Sequence, residues 1–322
     1  MTRAHRTWLV VGGLAWLSLV GLGAAMAEAP APGAAAPGGT VKLAFAAADK
    51  AFRFDTGVLK GTLREGGRSL GLKPVLEAAS GTPLAGAFGL FSPYRLLTSD
   101  ARFGTAAWDW ASEARLLGDG AVEVRWAPDA ERPLAITAVY RWAAPNTLDF
   151  TATVKPEKDL ARFELFLASY FDGFPASFAY VRENPQADGK PGFMEARKAS
   201  GDWQAFPRDD AAPPIIGDGR WKREPNPVEW KIMPRLAAPL ALRRDAKTGL
   251  TAVLMAPVSD CFAVMMPYGE EGHRSVYLSL FGRDLKAGED ATARARLVIG
   301  RDISDAQAVA LWEDYVRSLA RP

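Results

Sequence analysis

Beyond Val41 the chain alternates apolar and polar residues over short runs divided by turn-forming residues. "AVEVRW" puts Val122, Val124 and Trp126 on one face and Glu123 and Arg125 on the other. It follows Asp119-Gly120, a dipeptide suited to a tight hairpin turn. "LAITAVYRW" and "TLDFTATV" flank "AAPN", with Leu148, Phe150, Ala152 and Val154 alternating against Asp149, Thr151 and Thr153. "LALRRD" and "LTAVLMAP" flank "AKTG" in the same manner, and "ATARARLVIG" sets Ala293, Ala295, Leu297 and Ile299 on one side. A period of two carried through successive hairpins predicts antiparallel sheets, and no strand–helix–strand alternation competes with it.

One segment departs from this period. In "ISDAQAVALWEDYVRSLARP", Ser304 and Gln307 have the spacing of a capping box. Val309, Trp312, Val316 and Leu319 then recur at helical spacing, which predicts one amphipathic helix packed on a sheet. The expected fold is therefore all-β, a large antiparallel β-sandwich with one C-terminal α-helix, built as a single domain over residues 41–322.

Between about Asn184 and Trp230 the alternation stops in favour of Pro, Gly, Asp and aromatic residues. Long connections without periodicity are uncommon in compact domains and are usually functional or disordered. Disordered segments are poor in aromatics, whereas this one holds Phe193, Trp203, Phe206, Trp221 and Trp230. It is expected to be an ordered excursion lying across a sheet.

The N-terminus changes the picture of compartment and charge. "MTRAHR" is basic, "TWLVVGGLAWLSLVGLG" is apolar, and small residues at Ala25 and Ala27 precede Glu28. Residues 1–27 thus read as a signal peptide of an exported protein, periplasmic or secreted, with no membrane association after cleavage. Residues 28–40, rich in Pro, Ala and Gly, read as a flexible linker. The whole chain has 39 basic and 37 acidic residues. Loss of Arg3 and Arg6 with the leader balances them, so the mature chain lacks the basic footprint of a nucleic-acid partner. Cys261 is the single cysteine, so no intrachain disulfide can form. Its apolar setting, "SDCFAVMMPY", suits a packing role.

Candidate chemistry is sparse. There are two histidines, His5 in the leader and His273. Read as a strand, "HRSVYLSLFG" directs Arg274, Val276, Leu278 and Leu280 one way, and His273, Ser275, Tyr277, Ser279 and Phe281 the other. The second set mixes imidazole, hydroxyl and aromatic groups, which suits a polar ligand with apolar patches, such as a sugar. His273 is the candidate acid/base, with Asp209 or Glu271 as the second group that such chemistry needs. Arg208, Arg220 and Arg274 are candidates for orienting substrate. Trp108, Trp203, Trp221 and Tyr277 are candidates for contacting it. The pattern names no cofactor and no metal site, and it contains neither a nucleophile elbow nor a phosphate-cradling loop.

The run "FRFDTGVLKGTLREGGRSLGLKPVLEAASGTPLAGAFGLFSPYRL", the hairpins behind it and "LFLASYF" together resemble the galactose-mutarotase-like supersandwich superfamily. The likeness spans most of residues 41–300. It implies two large antiparallel sheets stacked face to face, with a sugar or glycan bound on a concave sheet face. Aldose epimerases of that superfamily use histidines with a glutamate. Here a single histidine lies beyond the leader and no Asn-His motif is found, so the resemblance implies the fold and a sugar-facing surface rather than the epimerase site. The functional expectation is an exported carbohydrate-recognising protein, with acid/base catalysis on the sugar open. The alternative is a structural or envelope-assembly sandwich without a small-molecule ligand.

Overall fold

A computed structural model describes residues 43–64 and 69–320. The expected signal peptide and linker lie outside the described residues.

Alternation is realised as two large sheets and one small one. The larger sheet has nine strands, in the order Gly192–Glu195, Ala176–Val181, Leu236–Arg244, Leu250–Met255, Ala291–Arg301, Thr147–Pro156, Leu134–Ala144, Val122–Trp126 and Glu113–Leu116. Neighbours in it pair antiparallel throughout. The second sheet has six strands, in the order Lys231–Ile232, Trp203–Pro207, Cys261–Pro267, Ser275–Leu285, Leu160–Tyr170 and Ser92–Leu97. A four-stranded sheet, Ala46–Ala48 to Val75–Glu77, completes the set.

The main core lies between the two large sheets. Val122, Val124 and Trp126 from one meet Leu165, Leu167, Val276, Leu278 and Leu280 from the other in one buried cluster. These are the positions at which apolar residues recur with period two, because successive side chains leave a strand on opposite faces. A second cluster covers the outer face of the six-stranded sheet. There Phe166, Ala168, Tyr170, Met265 and Tyr277 pack against Ile215, Ile216 and Trp221. The outer face of the nine-stranded sheet carries the C-terminal helix Asp305–Leu319.

That helix begins as the sequence predicts. Ser304 Oγ accepts from the Gln307 N–H at 3.3 Å, and Gln307 Oε1 accepts from the Ser304 N–H at 2.8 Å. Its most buried residues are Ala308 and Tyr315, with Trp312 Nε1 donating to the Ala256 carbonyl at 2.9 Å. The stripe is thus turned slightly from the expected Val309/Trp312/Val316/Leu319 line.

The 184–230 excursion is ordered, and it is divided between the sheets. Gly192–Glu195 adds an edge strand to the larger one. Trp203–Pro207 enters the smaller one, pairing with Cys261–Pro267. A short helix, Ala212–Ile216, and the turn at Arg220–Lys222 then lie over that sheet's outer face.

One strand expectation needs correction. In Ser275–Leu285 the alternation holds from Val276 to Leu280, then breaks. Phe281 (φ 74°) and Gly282 (φ 63°) both take left-handed conformations. Phe281 therefore joins Leu280 in the inter-sheet core, where its ring meets Phe163 at 5.4 Å, instead of following Tyr277 to the outer face. A Cβ on Gly282 would come within 2.4 Å of the Phe262 ring, so glycine is required there both for its φ and for space.

Candidate functional site

The outer face of the six-stranded sheet carries a cleft of about 440 Å³ between the strands and the excursion. Its floor is strand-borne. Phe166 stacks on Tyr277 at 4.4 Å across neighbouring strands, and Trp221 meets Phe166 edge-on at 4.6 Å. Trp108 lies flat on Tyr94 at 4.2 Å and on Phe88 at 5.4 Å, forming a three-ring stack along one wall. Trp203 and Trp230, perpendicular at 5.7 Å, form another. Tyr170 completes a lining of nine aromatic rings.

Trp221 is held in place by charge. Its neighbour Arg220 is fully buried and gives Nε and Nη2 to Asp218, the latter at 2.8 Å, and Nη1 to Glu164 at 3.1 Å. Burial pushes the Glu164 carboxyl above the ordinary range, against the pull of Arg220. Glu164 lies two residues before Phe166 on the same face, so the ion pair fastens the excursion to the sheet beneath the rings. Arg220, expected to orient substrate, is thus engaged by two carboxylates and does not line the cleft. Trp221 does.

A line of hydroxyls runs under the rings. Ser275 Oγ donates to Tyr277 Oη at 2.7 Å, and Tyr277 Oη lies 3.3 Å from Tyr170 Oη. Burial pushes the Tyr277 phenol up to about 12 and raises that of Tyr170 as well. Both are neutral hydrogen-bonding groups at physiological pH.

His273 stands at the rim, half exposed, in the turn before the strand. Its ring centroid is 5.7 Å from that of Trp203 and 6.4 Å from that of Tyr170. Glu271 accepts twice from it, at Oε2 from the backbone N–H (2.8 Å) and at Oε1 from Nδ1 (2.6 Å). An ionised carboxylate can only accept, so beside ionised Glu271 the contact places a proton on Nδ1, and in the neutral imidazole Nε2 then keeps its lone pair. This carboxylate–imidazole arrangement can serve a proton transfer. Glu271 is close to the cleft through His273, without lining it.

The remaining candidates lie elsewhere. Arg208 and Asp209 pair with each other at 2.7 Å at the far end of the strand that begins with Trp203. Arg208 lies five extended steps along the chain from Trp203, about 16 Å, which carries the pair out of the cleft. Partial burial works to raise the Asp209 carboxyl, but Arg208 and backbone N–H groups outweigh it and hold it below the ordinary range. Arg274 adopts φ 47°, sits half exposed 3.9 Å from Asp172, and does not line the cleft. Of the ten candidate residues, Trp108, Trp203, Trp221, Tyr277 and His273 are brought together here.

Sequence reasoning did not single out Tyr94, Arg95, Phe166, Tyr170, Asn226 or Trp230, all of which line the cleft. A usable clue lay in "FSPYRLL": an arginine between apolar residues of a strand is unusual unless it has a task. Arg95 is 4% exposed. Its guanidinium lies 5.0 Å from the Tyr94 ring centre and 5.1 Å from that of Trp221. Cys261 is fully buried in the core between the sheets. Among the described residues, no group of three or more His, Cys, Asp or Glu is placed to hold a metal ion.

No protein-family model and no curated protein sequence matches the chain. Solved structures do resemble it. An alpha-N-acetylgalactosaminidase from Bifidobacterium bifidum aligns at a TM-score of 0.50 with 11% identity, covering 83% of this chain and 39% of that one. A galactose mutarotase-like protein from Lactobacillus casei ATCC 334 aligns at 0.48 with 10% identity, covering 78% and 100%. A galactose mutarotase related enzyme from Lactobacillus acidophilus aligns at 0.44 with 8% identity, covering 79% and 99%. At such identities the likeness is one of architecture alone: the described sheets share their fold with part of the alpha-N-acetylgalactosaminidase.

Proposed function

We propose that the protein is exported and recognises a saccharide in the aromatic cleft on the outer face of its six-stranded sheet. The observation that carries the reading is the cleft itself, which combines nine aromatic rings with a few polar groups. Its volume of about 440 Å³ falls in the range of small-molecule sites. Sugar rings offer C–H faces that rest on aromatic rings, and their hydroxyls are met here by Arg95, Asn226, Thr105, Asp109 and His273. The leader-like residues 1–27 support export.

The test is a saccharide panel titrated against the full chain and against Trp203→Ala and Trp230→Ala. These two rings are only partly buried, so the fold tolerates their loss better than that of Trp221. Binding by the wild type and a loss of roughly tenfold or more in each variant are expected, in keeping with aromatic anchors at binding sites. No saccharide binding, or equal binding by the variants, sinks the reading.

A second reading is favoured by the Glu271–His273 contact: the bound saccharide undergoes proton transfer at Nε2 of His273. A general base contributes typically 10²–10⁴-fold. His273→Gln should then bind sugar near normally while turnover of a bound saccharide falls by at least about a hundredfold. Unchanged turnover returns the cleft to a purely binding role.

A further inference from the structure

Three arginines are buried among the described residues, Arg95, Arg220 and Arg243. Two of them are satisfied from within. Arg220 has the carboxylates of Asp218 and Glu164. Arg243 donates to four backbone carbonyls, those of Phe174, Pro175, Gly269 and Ser275. Arg95 is different. Its Nη2 donates to the Asn226 carbonyl at 2.8 Å and lies 3.3 Å from the Tyr94 hydroxyl. Its Nε is buried without a hydrogen-bond partner, and Nη1 donates to no other described residue.

Among the described residues the guanidinium has no carboxylate partner, and it lines the cleft. The rings of Tyr94 and Trp221 beside it supply cation–π attraction, which offsets part of the desolvation but satisfies no N–H. A buried charge without a counter-charge is costly, and a ligand oxyanion beside it would offset that cost. The neighbouring Arg102 is occupied with the carbonyls of Gly104, Thr105, Arg223 and Pro225. Burial, and then the positive charge of Arg95, lowers the Arg102 guanidinium to about 10. Asp109, exposed at the rim, is the one carboxylate among the described lining residues.

We propose that the saccharide taken by this cleft is anionic, and that its carboxylate or sulfate group pairs with Arg95 at the cleft wall. The proposal rests on the reading of the cleft as a saccharide site and specifies its ligand class. Guanidinium forms charge-assisted, often paired, hydrogen bonds with such planar or tetrahedral oxyanions. Stacking on the walls then selects a sugar, and Arg95 selects its charge.

The experiment compares uronate-containing oligosaccharides with their carboxyl-reduced counterparts by calorimetric titration of the full chain, at low and at physiological salt. Sulfated oligosaccharides form a separate arm. The charged member of a pair is expected to bind at least about tenfold more tightly, with an advantage that shrinks as salt rises. Preference in the uronate arm assigns the carboxylate; preference in the sulfated arm alone assigns the sulfate. Arg95→Gln should bring the ratio of charged to neutral affinity to about one, whatever affinity for the neutral sugar remains, and Arg95→Lys should restore part of that ratio. Should the variants fail to fold, the wild-type ratio and its salt dependence still decide. Equal binding of charged and neutral members overturns this proposal and leaves saccharide recognition intact. Failure of every saccharide to bind overturns both.

Discussion

Glu271 holds His273 at two points, its Oε1 2.6 Å from the imidazole Nδ1 and its Oε2 2.8 Å from the backbone nitrogen of the same residue. A carboxylate two positions earlier in a tight turn therefore fixes both the ring's orientation and its tautomer. In the second reading of the cleft this orientation is what presents Nε2 as a base.

That contact can be observed directly. The chain has only two histidines, so the imidazole nitrogens can be resolved by long-range proton–nitrogen NMR. Neutral His273 should carry its proton on Nδ1, and Glu271→Ala should release it to a mixture dominated by Nε2–H. The same tautomer in both proteins would falsify the assignment.

The ion pair beneath the rings predicts two unequal variants. Arg220→Met strands Glu164 in the interior and should cost about 3–5 kcal/mol of unfolding free energy, as for other broken buried pairs. Glu164→Gln removes a carboxyl that burial has raised, and Asp218 still neutralises Arg220. A raised carboxyl favours the folded state fully below the ordinary carboxylate value, and that contribution is lost as pH rises through its folded value. The wild type should therefore lose ground to Glu164→Gln between pH 4 and pH 7 in denaturant titrations. A parallel pH dependence in the two proteins contradicts the shift.

Tyr140, Tyr170 and Tyr277 are all raised, by burial first. Ultraviolet titration should find these three phenols un-ionised past the ordinary tyrosine value of about 10. Their contribution to stability is complete below that value and is lost as pH climbs beyond it, so ionisation should coincide with unfolding. Smooth titration of every tyrosine in the folded protein would go against this.

Cys261 should behave as an inert core residue. Burial pushes its thiol up to about 12, and thiolate is the reactive form. Alkylation at neutral pH should be slow in buffer and fast in denaturant. Rapid labelling of the folded chain would mean that the core around it opens.

The sheets, their hairpins and the capped helix follow from local rules, since apolar residues at period two or at helical spacing must share a face. The same rules misplace Phe281, because the left-handed pair Phe281–Gly282 shifts the strand's facing, and Gly282 there approaches Phe262, twenty residues before it in the chain. They also bring Trp108, Trp203, Trp221, Tyr277 and His273 to attention without saying that these share one cleft, or that Arg208 and Asp209 lie a strand's length away.

The arginines make the division clearest. "GDGRW" and "SPYRLL" each place an arginine beside an aromatic residue, and the first also supplies a nearby acid, Asp218, which pairs with Arg220. The second partner is not local: it is Glu164, 56 positions before Arg220, which the six-stranded sheet carries under one guanidinium and not the other. Periodicity is written into neighbouring residues and survives without a fold. The neutralisation of a buried charge depends on which distant strand lies across from it, so only the folded chain decides which arginine is left open to a ligand.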